Sequence, residues 1–170
     1  MIKEKFNLIN KVAIITGASK GIGESMARGL AEFGAHVVIS SRKLDAVEKV
    51  ASKFDSEGLS AIGLECHVAK EDQQKELVSK VMNKYGSIDI LINNAGTNPY
   101  YGPLEKMSLE VYQKTMDINL NSAISLSNLV YPIMKKLLSS LDLTTLKSLN
   151  PKIVFKNQKT VILATKHQVM

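Results

Sequence analysis

Through the first 95 residues, short apolar runs alternate with stretches in which apolar side chains recur every three or four positions. The runs are Val12 to Thr16, His36 to Ser40, Ala61 to Cys66 and Ile88 to Ile92. Their near-continuous apolar content predicts strands of a parallel sheet covered on both faces. Between them lie three stripes at helical spacing. Ile22, Met26, Leu30 and Phe33 form the first, with Gly34 as its stop. Ala46, Val47, Val50, Ala51 and Phe54 form the second, ended near Gly58, and Leu77, Val78, Val81 and Met82 the third, ended near Gly86. Strand and helix in strict alternation predict an α/β fold built on a doubly wound parallel sheet.

Beyond the fourth run the pattern changes twice. Asn98 to Pro103 holds two prolines, which exclude regular structure there, and Ser108 followed by Val111 reads as a helix start. From Asn119 to Leu138 a long helical pattern follows through Leu120, Ile124, Leu129, Ile133, Met134 and Leu137, with Pro132 predicting a kink or a restarted first turn. Its apolar face is broad enough for a sheet and for a partner as well. All ten glycines lie at or before Gly102, so the tail lacks the turn residues of a further strand–helix unit. Lys152 to Phe155 and Val161 to Ala164 are each short strand candidates without such a unit around them. Two parts are therefore expected, residues 1–136 and a divergent tail over 137–170.

The stretch with the clearest chemistry is Thr16-Gly17-Ala18-Ser19-Lys20-Gly21-Ile22-Gly23, at the point where the first strand hands over to the first helix. Three glycines there let backbone approach an anion without Cβ clashes. The helix start adds unpaired N–H groups and the positive end of its dipole. The same glycines also suit a tight turn with no ligand, but the strand before and the helix after favour a phosphate cradle.

Composition narrows the remaining possibilities. A chain of 170 residues fits one domain with a substantial core. No run of about 18 apolar residues occurs and the N-terminus opens no long apolar segment, so neither a membrane span nor a signal peptide is expected and the cytoplasm is the default location. Cys66 is the sole cysteine and reads as a buried, inert thiol. His36, His67 and His167 lack companion ligands at zinc spacing, so no metal is expected. The net charge of +6 invites a nucleic-acid partner, yet the tail from residue 137 carries five lysines against Asp142 alone. The excess is thus concentrated in the tail, and no basic cluster is interleaved with aromatics, which argues against nucleic-acid binding.

Three features stand in one order: the Thr16 to Gly23 cradle, Asn93-Asn94-Ala95-Gly96 closing the fourth strand, and Asn119 within Met116-Asp117-Ile118-Asn119-Leu120. Together they resemble the short-chain dehydrogenase/reductase family over residues 8 to about 136. Ser40-Ser41-Arg42-Lys43, Cys66-His67-Val68 and Asn98-Pro99-Tyr100-Tyr101-Gly102 bring the likeness nearest to its NADP(H)-dependent carbonyl and retinal reductases. The resemblance implies a Rossmann-type sheet, here ending after about four or five strands, with NADP(H) as cofactor and a small carbonyl or alcohol as substrate. It also implies self-association through the long helix, which takes part in a tetramer interface in relatives.

On that resemblance Gly17, Ser19, Gly21, Ile22 and Gly23 hold the pyrophosphate and adjacent ribose. An acid at the end of the second strand would accept from a free ribose 2′-OH and repel a 2′-phosphate. Ser41 and Arg42 occupy that place, with Lys43 and Lys20 nearby, which favours NADP(H), although Arg42 and Lys43 also suit a solvated helix start. His67 stands where many relatives carry an aspartate that binds the adenine amino group. A neutral ring nitrogen can accept the same hydrogen bond, and a histidine at a strand end can equally be a bystander. Val68 is expected against the adenine, and Asn94, Ala95 and Gly96 form the turn beneath the cofactor.

The family's reaction is hydride transfer, with a tyrosine as acid/base, a lysine four residues on, a serine polarising the carbonyl and an asparagine holding a relay water. Asn119 matches the asparagine. Tyr131-Pro132-Ile133-Met134-Lys135 satisfies Tyr-x-x-x-Lys as text, but it lies inside the long helix, before a fifth strand and not after one. No tyrosine follows Tyr131. An NADP(H)-dependent oxidoreductase, inactive as this chain, is therefore expected. The alternatives are a non-catalytic NADP(H)-binding or regulatory protein and a poorly folded remnant.

Overall fold

In the computed structural model, residues 7–139 and 161–162 are described. Five parallel strands, β1 (Val12–Thr16), β2 (His36–Ser41), β3 (Ala61–Glu65), β4 (Ile90–Ile92) and β5 (Val161–Ile162), line up in the order β3-β2-β1-β4-β5. Thr16 lies opposite Ser40, Ile15 opposite Ile92, and Leu91 opposite Val161. The crossovers carry α1 (Gly21–Glu32), α2 (Leu44–Ser56) and α3 (Glu71–Tyr85), and α4 (Leu109–Met116) and α5 (Ser122–Ser139) follow β4.

Alternation along β1 shows how the two layers divide. Ala13 and Ile15 face α1 and α2 with Val37, Ile39, Ala27, Ala31, Val47 and Phe54. Val12 and Ile14 face α3 and α5 with Val38, Leu91, Leu77, Val81, Leu126 and Val130. Every β1 residue is buried, because a central parallel strand has no solvent face. The doubly wound α/β sheet of the Rossmann type is what the structure shows. The strand order reverses beside β1, which places a crevice at the carboxyl ends of β1 and β4.

The helices pack differently from their expected stripes. In α1 the buried positions are Gly23, Ala27 and Ala31, while Ile22 is 57 % exposed and Met26 and Leu30 sit at the flanks. Small residues every four positions bring the helix axis close to the sheet, so bulk is displaced to the sides. In α5 the buried stripe is Ala123, Leu126, Val130 and Met134, whereas Leu120 and Ile124 are exposed. The two helical patterns are continuous: α4 runs into α5 through a π-helical turn over Asp117–Asn121, whose extra residue rotates Leu120 off the buried face. Ser108 caps α4 by accepting from the Val111 N–H. Pro132 lies within α5 and has no N–H to give the Asn128 carbonyl, whose residue is on the exposed side.

Strand ends shift by one or two residues. β4 begins at Ile90, just after Asp89, whose carboxylate accepts from the Val12 N–H at 3.1 Å and from Ser87 Oγ at 3.2 Å. Val161–Ile162 pairs in parallel with Leu91–Ile92, so part of one tail candidate is a strand. Lys152 to Phe155 lies outside the described residues.

Candidate functional site

The carboxyl ends of β1, β2 and β4 open onto a cleft of about 520 Å³. Thr16, at the end of β1, organises its floor. Its buried Oγ1 accepts from the Asn94 and Ala95 N–H groups, both at 3.0 Å, and donates to the Ile92 carbonyl. Asn94 returns the contact, its Nδ2 donating to the carbonyls of Thr16 at 2.9 Å and Gly17 at 3.1 Å. The turn after β1 and the turn after β4 are thereby one rigid unit. Crowding explains the glycines: a Cβ on Gly23 would stand 2.5 Å from the Gly17 carbonyl oxygen and 2.6 Å from Asn94 Nδ2, and one on Gly17 would stand 2.8 Å from Ala95 Cα. Gly21 is required by conformation, with φ +62° and nothing within 4 Å of a Cβ.

Beyond this unit α1 begins at Gly21 with no side chain capping it, so the N–H groups of its first turn point out unpaired by any cap. Glu24, the acid of that turn, is engaged by Lys53 Nζ at 3.3 Å. The walls of the cleft carry Lys20, Arg42 and Lys43, and among the described residues no Asp or Glu lines it. Among the described residues none of these three cations is paired with a carboxylate. Such a cleft is electropositive from backbone and side chain together.

A second polar knot holds the far wall. The His67 N–H donates to Gln73 Oε1 at 2.6 Å, and His67 Nδ1 accepts from the Ala69 N–H at 3.3 Å. Gln74, 1 % exposed, donates from Nε2 to the carbonyls of Val68 and Ser122 and accepts from Ser125 Oγ at 2.8 Å. It ties the loop after β3 to the start of α5. Cys66 lies in the same wall, and burial pushes its thiol up to about 11, so at neutral pH it is protonated and packs as a small apolar group.

Asn119 occupies the π-helical turn. Its Oδ1 accepts from the Thr97 N–H at 2.7 Å and its Nδ2 donates to the Thr97 carbonyl at 2.8 Å, a two-point clamp on the loop that leaves β4. Gly17, Ser19, Lys20, Ile22, Gly23, Ser41, Arg42, His67, Val68, Asn94, Ala95 and Gly96 all line the cleft, and Gly21 lies in the turn between them. Asn119 does not line it directly; its clamped partner Thr97 does. Tyr131 is 59 % exposed on α5 and does not line it either.

The sequence profile of the short chain dehydrogenase family matches residues 11–140. The chain belongs to this family. Dehydrogenase/reductase SDR family member 4 of Oryctolagus cuniculus is 45% identical over 129 residues, which cover 76% of this chain and 50% of that protein. The human protein of the same name is 43% identical, covering 76% and 46%. Human dehydrogenase/reductase SDR family member 2, mitochondrial, is 37% identical over 95% of this chain and 59% of its own length. Among solved structures, a gluconate 5-dehydrogenase from Burkholderia cenocepacia, in complex with NADP and tartrate, superposes with a TM-score of 0.73 at 33% identity, over 79% of this chain and 52% of that one. The chain spans about half the length of the relatives it matches.

Within this member of the family, sequence reasoning overlooked Thr97, Ile118 and Ala46 as cleft residues and Gln74 as the link between its walls. Gln74 did leave a signal, since it falls on the apolar stripe of Leu77, Val78 and Val81 at helical spacing, where a polar residue demands a buried partner.

Proposed function

We propose that the cleft binds NADP(H), and that the chain is the cofactor-binding part of an oxidoreductase that moves a hydride between NADPH and a small carbonyl or alcohol. The observation that carries this is a cleft with an uncapped helix start and three cations that, among the described residues, have no carboxylate partner and share the cleft with no carboxylate. The conformation of Gly21 leaves open space where a pyrophosphate comes against the first turn of α1. Arg42 and Ser41, at the end of β2, offer charge-assisted donors to a 2′-phosphate, with Lys43 and Lys20 adding positive potential. The nicotinamide supplies the hydride chemistry when bound. The chain's own contribution is to hold and orient: Thr16 and Asn94 fix the floor, and Asn119 fixes the Thr97 loop beside it.

The tyrosine that would serve as acid/base is not among the described residues of the cleft. The 170-residue chain by itself therefore holds the cofactor without rapid turnover, since such a group contributes about 10²–10⁴ in rate. Titration with NADPH and NADH, followed by cofactor fluorescence, tests the proposal. Saturable binding with NADPH at least about tenfold tighter, a difference of about 1.4 kcal/mol, is expected. Equal affinities remove the specificity, absent saturation removes the cofactor, and steady NADPH consumption with a dicarbonyl removes the non-catalytic part.

Self-association belongs to the outer face of α4 and α5, where Leu109, Tyr112, Leu120, Ile124 and Tyr131 are all exposed. Light scattering after gel filtration is expected to show a dimer or larger species, shifted toward monomer by Ile124→Glu.

A further inference from the structure

Gln74 stands on the apolar stripe of α3 with Leu77, Val78 and Val81, and is almost fully buried. A leucine would suit that stripe, so the amide has to be explained by its partners. Two of them are carbonyls, those of Val68 and, at 3.2 Å, Ser122, and a carbonyl can only accept. Gln74 Nε2 must therefore face both, which leaves Oε1 for the Ser125 hydroxyl. The neighbouring Gln73 takes the complementary group of the same loop, its Oε1 accepting from the His67 N–H. Consecutive amides at the start of α3 thus fix the loop after β3 through one donor and one acceptor.

The Ser122 end matters because of what precedes it. Ser122 follows directly on the π-helical turn over Asp117–Asn121, and its Oγ donates back to the Ile118 carbonyl at 2.7 Å. From the same turn Asn119 clamps Thr97 by two hydrogen bonds. Val68, Ile118 and Thr97 all line the cleft, whereas Gln74 does not. One buried side chain behind the cleft therefore joins the wall given by the loop after β3 to the wall given by the π-helical turn.

We propose that Gln74 is a positioning residue of the cofactor site: by fixing the loop after β3 against the π-helical turn it sets the width of the cleft, and through that width the affinity for NADP(H). This deepens the NADP(H) reading and rests on it. Gln74 acts through Val68, Ile118 and the Asn119–Thr97 clamp. An amide that merely satisfied two buried carbonyls would affect stability and leave the affinity of the folded chain unchanged.

Calorimetric titration of the 170-residue chain with NADP⁺ separates the two roles. Gln74→Met keeps the length of the side chain and removes all three hydrogen bonds, and the folded variant is expected to bind NADP⁺ roughly tenfold or more weakly than wild type. Gln74→Glu supplies the rescue. Its protonated carboxyl can still donate to one carbonyl and accept from Ser125, whereas the carboxylate turns acceptors toward two acceptors. The ratio of variant to wild-type dissociation constants is therefore expected to stay within about threefold at about pH 5 and to reach roughly tenfold or more at about pH 9. Glu71 and Asp72 in the same turn, Cys66 and His67 on the loop, and Asp117 in the π-helical turn are common to both proteins, so their titration, like that of the ligand, drops out of the ratio.

Unchanged affinity in Gln74→Met beside a lowered thermal midpoint makes the residue purely structural and overturns the proposal, as does a Gln74→Glu ratio that is flat with pH. Absence of binding by the wild-type chain removes the NADP(H) reading, and this inference with it. Where neither variant folds, the ¹H–¹⁵N resonances of the Gln74 side-chain amide in the wild-type chain decide. They are expected to move on saturation with NADP⁺ while those of Asn83, exposed farther along α3, stay in place; no movement at Gln74 overturns the proposal.

Discussion

The two ends of the parallel sheet use charge in opposite ways. At the amino end, Asp89 is 6 % exposed; it takes the Val12 N–H and Ser87 Oγ, and Lys11 Nζ lies 3.4 Å from its Oδ1. Polar groups there satisfy one another, and β1 is stitched to the residue that precedes β4. At the carboxyl end, Thr16 and Asn94 satisfy the buried floor just as fully, but the cations above it, Lys20, Arg42 and Lys43, face no carboxylate among the described residues. One end spends its charges on folding and the other leaves them for an anionic ligand. Substitutions at the two ends are accordingly expected to separate stability from binding.

The largest effect belongs to Gly23. In Gly23→Val the new Cβ meets backbone oxygen and a fixed amide, neither of which can retreat without opening the Thr16–Asn94 unit. A stability loss of about 1–3 kcal/mol and a roughly hundredfold or greater loss of NADPH affinity are expected from denaturant melts and titration. Gly29 on the same helix is the control: a Cβ there meets nothing within 4 Å, so Gly29→Ala is expected to stabilise by about 0.5–1 kcal/mol.

Next come the two substitutions that set the ends against each other. Arg42→Ala removes a charge-assisted partner worth about 1.5–3 kcal/mol, so NADPH is expected to bind roughly 10- to 100-fold more weakly, with NADH affinity and thermal midpoint unchanged. Asp89→Ala leaves the buried Val12 N–H unsatisfied and is expected to cost about 1–3 kcal/mol of stability with no change in cofactor discrimination. If Arg42→Ala lowers the midpoint and Asp89→Ala alters NADPH over NADH preference, the division of labour between the two ends fails.

That division was only half legible in the chain. The strands, their order of chemistry and the glycine cradle could be read because burial on both faces of β1 forces continuous apolar runs, and because glycine marks places where a Cβ is forbidden. Gly17 and Gly23 illustrate this directly. Which face a helix buries was less legible. The α1 stripe was sought among Ile22, Met26 and Leu30, yet Gly23, Ala27 and Ala31 meet the sheet, because hydrophobic periodicity weights large residues and close approach needs small ones. The π-helical turn at Asp117–Asn121 shifts phase by one residue, which no helical-wheel argument with a fixed period can follow.

A third use of charge, away from both ends, gives the smallest expected effect. Arg28 in α1 pairs with Glu57 just after α2 and stacks over the Phe54 ring at 4.7 Å. The Arg28 guanidinium donating to Glu57 holds that carboxyl below its usual range, against a smaller opposing contribution from desolvation. A carboxylate whose folded pKa is depressed stabilises the fold fully above its unfolded value, near 4.5 here, and loses that contribution as pH falls through the depressed folded value. Both groups are solvent-facing, so the effect is modest and weakened by salt. Glu57→Gln is expected to lower the thermal midpoint slightly at neutral pH, with the gap to wild type closing as the medium is acidified below the ordinary carboxylate range. The residual stacking of Arg28 on Phe54 survives the substitution, so a gap that persisted in acid would assign the stabilisation to that contact and not to the ion pair.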